Sequence, residues 1–146
     1  MPGRFFLGVG TGENLNEHIL GNKWPSIGQR QEMLEEAIEV IRLLWSGGMQ
    51  THRGRFYTVE NARIYSPPSQ LPPIYMAAAG EDSAEVAKRI ADSLISVGAN
   101  AKVVKRFGKS KPRYGQLTVS WAETEESARK TAREWWPTAA LSSPLN

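Results

Sequence analysis

The 146-residue chain contains no cysteine and only two histidines, His18 and His52. The lack of cysteine excludes disulfides, thiolate metal sites and a cysteine nucleophile within these residues. Two histidines are too few for a histidine-rich metal site, so we expect no metal. No apolar run approaches the roughly 20 residues that cross a bilayer. The first residues also lack the pattern of a secretory signal, and we therefore expect a soluble, cytoplasmic protein with no membrane partner.

The net charge of +3, with 40% hydrophobic and 23% charged residues, is typical of a globular domain. One short stretch is strongly basic, and it contains Lys102, Lys105, Arg106, Lys109, Lys111 and Arg113. Such a stretch can contact a phosphate backbone. Because the net charge is small and only Phe107 and Tyr114 supply aromatic rings, we expect no nucleic-acid partner. Binding to DNA or RNA is kept as a minor alternative.

Short apolar runs alternate with helical patterns along the whole chain. The runs predict strands at 5–9, 74–77, 94–97 and 116–121, and residues 49–65 predict an extended excursion or a short hairpin. Helices are expected from Ile27 to Trp45, from about Asp82 to Ile90, before Gly108, and from about Thr124 to Trp135. This alternation is typical of parallel strands joined by helical crossovers. Since a barrel needs eight strands, four units predict a small open sheet or part of a barrel.

The long helix has the clearest local signals. Ser26 and Gln29 have capping-box spacing, and Asp82 and Glu85 have similar spacing at the next helix. One stripe of the long helix is mainly apolar and also includes Arg30. The remaining surface carries four glutamates, which we interpret as a solvated face: Glu32, Glu35, Glu36 and Glu39. Four tryptophans are expected to pack in the core or under a lid: Trp45, Trp121, Trp135 and Trp136.

The first predicted strand runs directly into a glycine turn, Gly10-Thr11-Gly12-Glu13. Glycines let the backbone turn sharply and approach a ligand closely. The turn brings the Glu13 carboxylate and the carboxamides of Asn14 and Asn16 to one strand end, where parallel α/β proteins bind ligands. The third glycine of a dinucleotide fingerprint is missing from this sequence, as is a phosphate loop of the GxxxxGK[ST] type. The turn therefore predicts a ligand site of another kind.

Five segments, in order along nearly the whole chain, resemble the luciferase-like superfamily of flavin- and deazaflavin-dependent oxidoreductases. They are similar to the branch of F420-dependent glucose-6-phosphate dehydrogenases and their flavin-using relatives. The segments are RFFLGVGTGENLN (4–16), RQEMLEEAIEVIRLLWSG (30–47), FYTVENARIY (56–65), PIYMAAAG (73–80) and VSWAETEESARKTAREWWP (119–137). The resemblance implies a partial TIM barrel, roughly strands four to seven, with residues 1–146 forming one domain truncated at both ends relative to the family.

The resemblance also implies roles for individual residues. Thr11 and Asn16 would bind the cofactor, coenzyme F420 or FMN, and Glu13 would handle protons beside the redox carbon during hydride transfer to or from a small organic substrate. Four residues would hold the cofactor phosphate at a helix N-terminus: Ala79, Gly80, Asp82 and Ser83. Simpler interpretations stay open, namely a local cap for Glu13, turn formation for Asn16 and an ordinary connection for Gly80.

The chain departs from the family pattern at three places. Ala79-Gly80-Glu81 stands where relatives often have Gly-Gly-Pro, which brings a carboxylate near the expected phosphate. Val97 and Asn100 stand where the sugar-phosphate dehydrogenases have threonine and lysine, so glucose 6-phosphate is not the expected substrate, and the case for F420 over FMN is weaker. Neither His18 nor His52 matches the family's catalytic histidine. An alternative is therefore a catalytically silent half-barrel that forms a homo-oligomer through exposed sheet edges.

Overall fold

The computed structural model describes residues 3–98 and 100–137. The strands of these ranges are β1 (Leu7–Val9), β2 (Gln50–Arg53), β3 (Thr58–Ala62), β4 (Ile74–Ala77), β5 (Ser93–Val97) and β6 (Arg113–Gln116). The helices are α1 (Asn14–Glu17), α2 (Ile27–Trp45), α3 (Glu81–Ile90), α4 (Ala101–Phe107) and α5 (Glu125–Trp135), with a 3-10 turn at His18–Leu20. None of the helices in this part of the chain is long and apolar enough to cross a membrane.

Four strands form one parallel sheet in the order β1-β4-β5-β6. The antiparallel hairpin β2-β3 lies outside this sheet and joins α2 to β4. The predicted α/β architecture is therefore confirmed, as is the hairpin within residues 49–65. Because the four strands are parallel, their carboxyl ends all lie at the same edge of the sheet.

Helices α3 and α4 cover one face of the parallel sheet and form the core with it, and Leu34 of α2 packs against this core. The fully buried side chains include Met76 and Leu94 from the sheet and Ala87, Val103 and Phe107 from α3 and α4. Burying a large apolar side chain contributes about 1.5–3 kcal/mol to folding. The predicted inward positions of α3 are confirmed, since Val86 is buried and Ile90 packs against the same cluster. This core fixes the strand ends that carry the candidate site.

The opposite face of the sheet exposes a row of aromatic rings, which we call the aromatic face: Phe6, Tyr75 and Tyr114. The ring of Tyr75 stacks between Phe6 (centroids 4.5 Å apart) and Tyr114 (5.0 Å). The two tyrosine hydroxyls are 3.2 Å apart, and this hydrogen bond raises the pKa of Tyr114. Phe6 remains 47% exposed and Tyr114 48% exposed. In a closed barrel such a face is buried inside by the remaining strands.

Three local predictions are wrong. Strand β6 covers Arg113–Gln116 instead of 116–121, because the residues that pair in register with β5 precede the more apolar ones. Asp82 was predicted to cap helix α3, but the helix begins at Glu81. Gly80, with extended backbone, is therefore the N-cap residue, and Asp82 lies inside the first turn. Core packing, one of the two alternatives given for the tryptophans, is wrong for Trp121, Trp135 and Trp136, which are 83%, 73% and 46% exposed.

Helix α2 begins and ends where the sequence predicted. The hydroxyl oxygen of Ser26 accepts a hydrogen bond from the backbone N–H of Gln29 (3.3 Å), which is half of the expected capping box. Substitution Ser26→Ala leaves this N–H without its acceptor, and we expect a loss of about 1 kcal/mol of stability. Urea unfolding followed by circular dichroism measures this loss. Ser110→Ala, in an exposed loop, is the control and should change stability by less than about 0.5 kcal/mol; equal effects would contradict the capping role.

Candidate active site

A groove of about 670 Å³ lies at the carboxyl ends of the parallel strands. We call it the glycine-turn groove. One wall is the turn that follows β1, with Thr11 and Glu13, and the other is the turn that follows β4, with Ala79 and Gly80. Ser83 of α3 also lines it. The topology thus brings together two turns that are more than 60 residues apart in the sequence.

The groove contains most of the residues that the sequence predicted for the site, which are Thr11, Glu13, Ala79, Gly80 and Ser83. Asn16 is not among its lining residues, but its side-chain amide donates to the Glu13 carboxylate (3.3 Å). Asp82 does not line the groove either, and its side chain is exposed on the first turn of α3. Asn16 is therefore connected to the groove by its hydrogen bond to Glu13, whereas the side chain of Asp82 does not line the groove.

The Glu13 carboxylate is exposed and makes no cap hydrogen bond to α1. Its backbone carbonyl instead accepts from the N–H groups of Asn16 (3.0 Å) and Glu17 (3.2 Å). The interpretation of Glu13 as a local side-chain cap is therefore wrong. The main chain starts the helix, and the carboxylate remains available for a ligand in the groove.

Gly12 is required by the shape of the turn. Its φ of +76° lies in the left-handed region, and an added Cβ would collide with the side chains of Glu17 and Trp24. A larger residue would therefore be strained and would also move these neighbours. The absence of a side chain at Gly12 lets the turn pack closely against Glu17 and Trp24.

Arg30 of α2 lines the glycine-turn groove and binds the backbone of the turn, a contact that the sequence analysis did not identify. Its Nη1 donates to the carbonyl oxygens of Thr11 (3.0 Å) and Gly12 (3.1 Å). The guanidinium also lies over the Trp24 ring, 4.3 Å from its centroid. Its Nε is buried without a hydrogen-bond partner among the described residues, which costs about 1–3 kcal/mol. The available signal was an arginine within an otherwise apolar helical stripe.

The N-terminus of α3 faces the site without a side-chain cap. Gly80 has extended backbone there and contributes no side-chain acceptor. The first N–H groups of a helix carry a partial positive charge that favours anions. Glu81 does not cancel this charge fully, because its carboxylate lies 3.8 Å from the Arg106 side chain of α4. The carboxylate that the sequence analysis treated as a difficulty is thus paired with a cation.

Asn100 ties the second turn of the groove to α4. Its side-chain oxygen accepts from the N–H groups of Lys102 (3.1 Å) and Val103 (3.3 Å), and its amide donates to the Ala79 carbonyl (3.4 Å). Both polar atoms of the side chain are therefore engaged within the fold. This structural role was not predicted.

Two members of the basic stretch also have internal partners. Lys111 donates to the carbonyls of Lys88 (2.8 Å) and Ala91 (2.6 Å) at the end of α3, and Arg106 pairs with Glu81. Cations near a helix C-terminus stabilise the helix dipole. Part of the basic stretch thus stabilises α3 itself.

Glu36 attaches the hairpin β2-β3 to α2, although the sequence analysis placed it on a solvated face. Its carboxylate accepts from the backbone N–H groups of Arg55 (3.1 Å), Phe56 (3.0 Å) and Tyr57 (2.8 Å), and it contacts His52 (3.2 Å). Desolvation raises the pKa of Glu36, but the hydrogen bonds from Tyr57, His52, Phe56 and Arg55 together outweigh it and leave this pKa below its ordinary value. We call this arrangement the Glu36 clamp. It holds the backbone of Tyr57, a residue that lines a second cavity together with the glycine turn.

Sequence relatives are found among F420-dependent enzymes. An F420-dependent glucose-6-phosphate dehydrogenase of Microbacterium testaceum is 47% identical over 65% of this chain and 28% of its own length. One of Gordonia bronchialis is 32% identical over 93% of this chain and 46% of its own length. An F420-dependent hydroxymycolic acid dehydrogenase of Mycobacterium tuberculosis is 41% identical over 65% of this chain and 26% of its own length. The chain thus spans less than half the length of these relatives.

Solved structures that superpose on this chain include F420-dependent enzymes as well. An F420-dependent secondary alcohol dehydrogenase in complex with an F420-acetone adduct superposes with a TM-score of 0.83 and 26% identity, covering 95% of this chain and 47% of that one. The F420-dependent tetrahydromethanopterin reductase of Methanopyrus kandleri gives a TM-score of 0.75 at 20% identity, covering 97% and 49%. Both neighbours are TIM barrels, so the predicted partial barrel is confirmed. Because the family model described as luciferase-like monooxygenase matches residues 1–145, the chain belongs to the luciferase-like monooxygenase family.

Proposed function

We propose that this chain is part of an F420-dependent oxidoreductase that transfers hydride between the deazaflavin and a small organic substrate. The observation that carries the proposal is the glycine-turn groove, where Thr11, Glu13 and the Ala79-Gly80 turn meet at the carboxyl ends of parallel strands. The relatives and the 26% identical structural neighbour named above, all F420-dependent by name, support this choice of cofactor.

The residues of the groove fit a flat ring system next to an acid. Thr11 and Gly12 supply backbone and a hydroxyl on one wall, and Ile27 and Ile95 supply apolar surface. The bound deazaflavin supplies a carbon that accepts or donates hydride. Glu13 would hold or release a proton through its carboxylate, and the amide of Asn16 would orient that carboxylate.

The phosphate of the cofactor would lie at the N-terminus of α3. The backbone N–H groups that follow Gly80 provide the donors, and no side chain caps them in the described chain. The pairing of Glu81 with Arg106 reduces the repulsion that an acidic residue would cause there. In this proposal Ser83 adds its hydroxyl, while Asp82 contributes only its main chain.

We propose a substrate other than glucose 6-phosphate. A sugar phosphate needs a positive group to hold it, and Asn100 carries none. Its side-chain oxygen and amide are also already bonded to α4 and to Ala79. An alcohol or ketone without a phosphate group is the substrate class that this position favours.

We further propose that residues 1–146 act as one domain and assemble as a homo-oligomer. The aromatic face and the edges of β1 and β6, which have no strand partner among the described residues, support this, because a barrel would bury both.

Titration of the purified chain with F420, followed by F420 fluorescence, tests the cofactor. We expect micromolar binding, weaker binding of FMN, and a loss of about tenfold or more in F420 affinity in Asn16→Ala, because Glu13 loses its partner. Gln70→Ala is the matched control, since it removes a carboxamide from the loop before β4, at the opposite end of the sheet. Circular dichroism verifies that each variant is folded.

Two results would contradict the proposal. If the folded chain bound neither cofactor at about 100 μM, the silent half-barrel would be the better description. If FMN bound more tightly than F420, the cofactor would be a flavin.

A further inference from the structure

We propose that Arg30 is a positioning residue for the cofactor site, and that it acts through the backbone of the glycine turn. This inference rests on the proposed function, since it concerns how the turn presents itself to a ligand in the same groove. Arg30 belongs to α2 and reaches 18 and 19 residues back along the sequence to contact the turn.

Among the described residues, Glu17 and Trp24 pack against Gly12, and Arg30 supplies the hydrogen bonds to the backbone of the turn. Gly10, Thr11, Gly12 and Arg30 line both the glycine-turn groove and a second cavity of about 490 Å³. The hydrogen bonds that the described residues make to the backbone of Thr11 and Gly12 both come from Nη1 of Arg30. A turn that lines two cavities is mobile unless such contacts fix it.

The contact also decides which way the peptide groups point. In a trans peptide the carbonyl and the following N–H lie on opposite sides, and the described chain has no cis peptide bonds. When Arg30 binds the carbonyls of Thr11 and Gly12, the N–H groups of Gly12 and Glu13 must therefore point away from it. These two N–H groups have no acceptor among the residues described. They are successive donors of the kind that bind an electron-rich ligand atom.

The residues around Arg30 restrict the movement of its side chain. The guanidinium is stacked over Trp24, and its Nε is buried without a described partner. An unpaired buried N–H is a cost to folding, so stability alone does not account for an arginine here. Holding two carbonyls at once requires a group with more than one N–H, which a methionine of similar length lacks.

The test compares Arg30→Met with Arg42→Met, which removes another arginine from the same helix, one that pairs with Asp92 away from the groove. The amide NMR signals of Gly12 and Glu13 in the free protein report the turn directly. We expect both signals to shift in Arg30→Met and to stay in place in Arg42→Met. We also expect F420 affinity to fall about tenfold or more in Arg30→Met only.

Arg30→Lys is the conservative variant and remains informative if Arg30→Met does not fold. An ammonium carries three donors but does not stack on Trp24 as a guanidinium does, so both the amide signals and the F420 affinity should lie between those of wild type and Arg30→Met. A purely structural role would lower the melting temperature without this pattern. Unchanged amide signals in a folded Arg30→Met would overturn the inference, as would wild-type F420 affinity in that variant. If the wild-type chain bound no F420, the proposed function would fail, and the amide signals would still decide whether Arg30 positions the turn.

Discussion

Substitution Glu36→Gln should lower the melting temperature of the chain by roughly 5–10 °C at pH 7. The carboxylate of Glu36 accepts from three successive backbone N–H groups, those of residues 55, 56 and 57. A glutamine has one acceptor oxygen in place of two, and its NH₂ group would face donors. The hairpin would therefore lose its attachment to α2. Differential scanning calorimetry measures the change.

The effect should depend on pH in a defined direction. The pKa of Glu36 is lowered in the folded chain, so the carboxylate is stabilised in its ionised form. A lowered pKa contributes stability above the unfolded pKa of about 4.3, and this stability disappears as the pH falls through the folded pKa. The difference in melting temperature between wild type and Glu36→Gln should thus be constant from pH 8 to 6 and should shrink below about pH 4.5.

Two further variants separate the clamp from general charge effects. Glu39→Gln removes an exposed carboxylate from the same helix and should change the melting temperature by less than about 2 °C. Gly54→Ala should act like Glu36→Gln, because a Cβ at Gly54 would collide with the side chains of Glu36 and His52. Equal and small effects of Glu36→Gln and Glu39→Gln at pH 7 would show that Glu36 belongs to a solvated face after all.

Light scattering after size exclusion should find the chain as a dimer or a larger assembly at micromolar concentration. The described sheet has four parallel strands and a closed barrel has eight, so a second copy would supply the other four strands. A two-fold axis along the barrel would pair β6 of each copy with β1 of the other in parallel and would bury both aromatic faces. Burial of aromatic surface supplies the free energy for this association.

Adjacent phenylalanines provide a matched pair for this prediction. Phe6→Asp places a charge on the aromatic face beside Tyr75 and should shift the chain to monomers or to insoluble material. Phe5→Asp makes the same change at the preceding residue, which lines a cavity together with Trp45 and is not part of the aromatic face. It should leave the oligomeric state unchanged. A wild-type chain that stayed monomeric at about 100 μM with a high melting temperature would contradict the homo-oligomer.

The elements that were predicted correctly are those whose signals come from residues close together in the sequence. Strand β4 covers Ile74–Ala77 as expected, and α2 runs from Ile27 to Trp45. Apolar spacing and the Ser26 cap act over a few residues, so the sequence contains the whole signal. The boundaries of β6 were wrong because pairing with β5, not apolar character, decides which residues join the sheet.

The sequence by itself determined the α/β class, the parallel order of units and the presence of an acid in a glycine turn, because these follow from local patterns. Tertiary structure decided that this turn meets the Ala79-Gly80 turn in one groove. It also decided the partners of Arg30 and Glu36, which are contacts between residues at least 16 positions apart. Charged side chains on a helix have the same local pattern whether they face water or bind a distant backbone, so only the folded chain distinguishes the two.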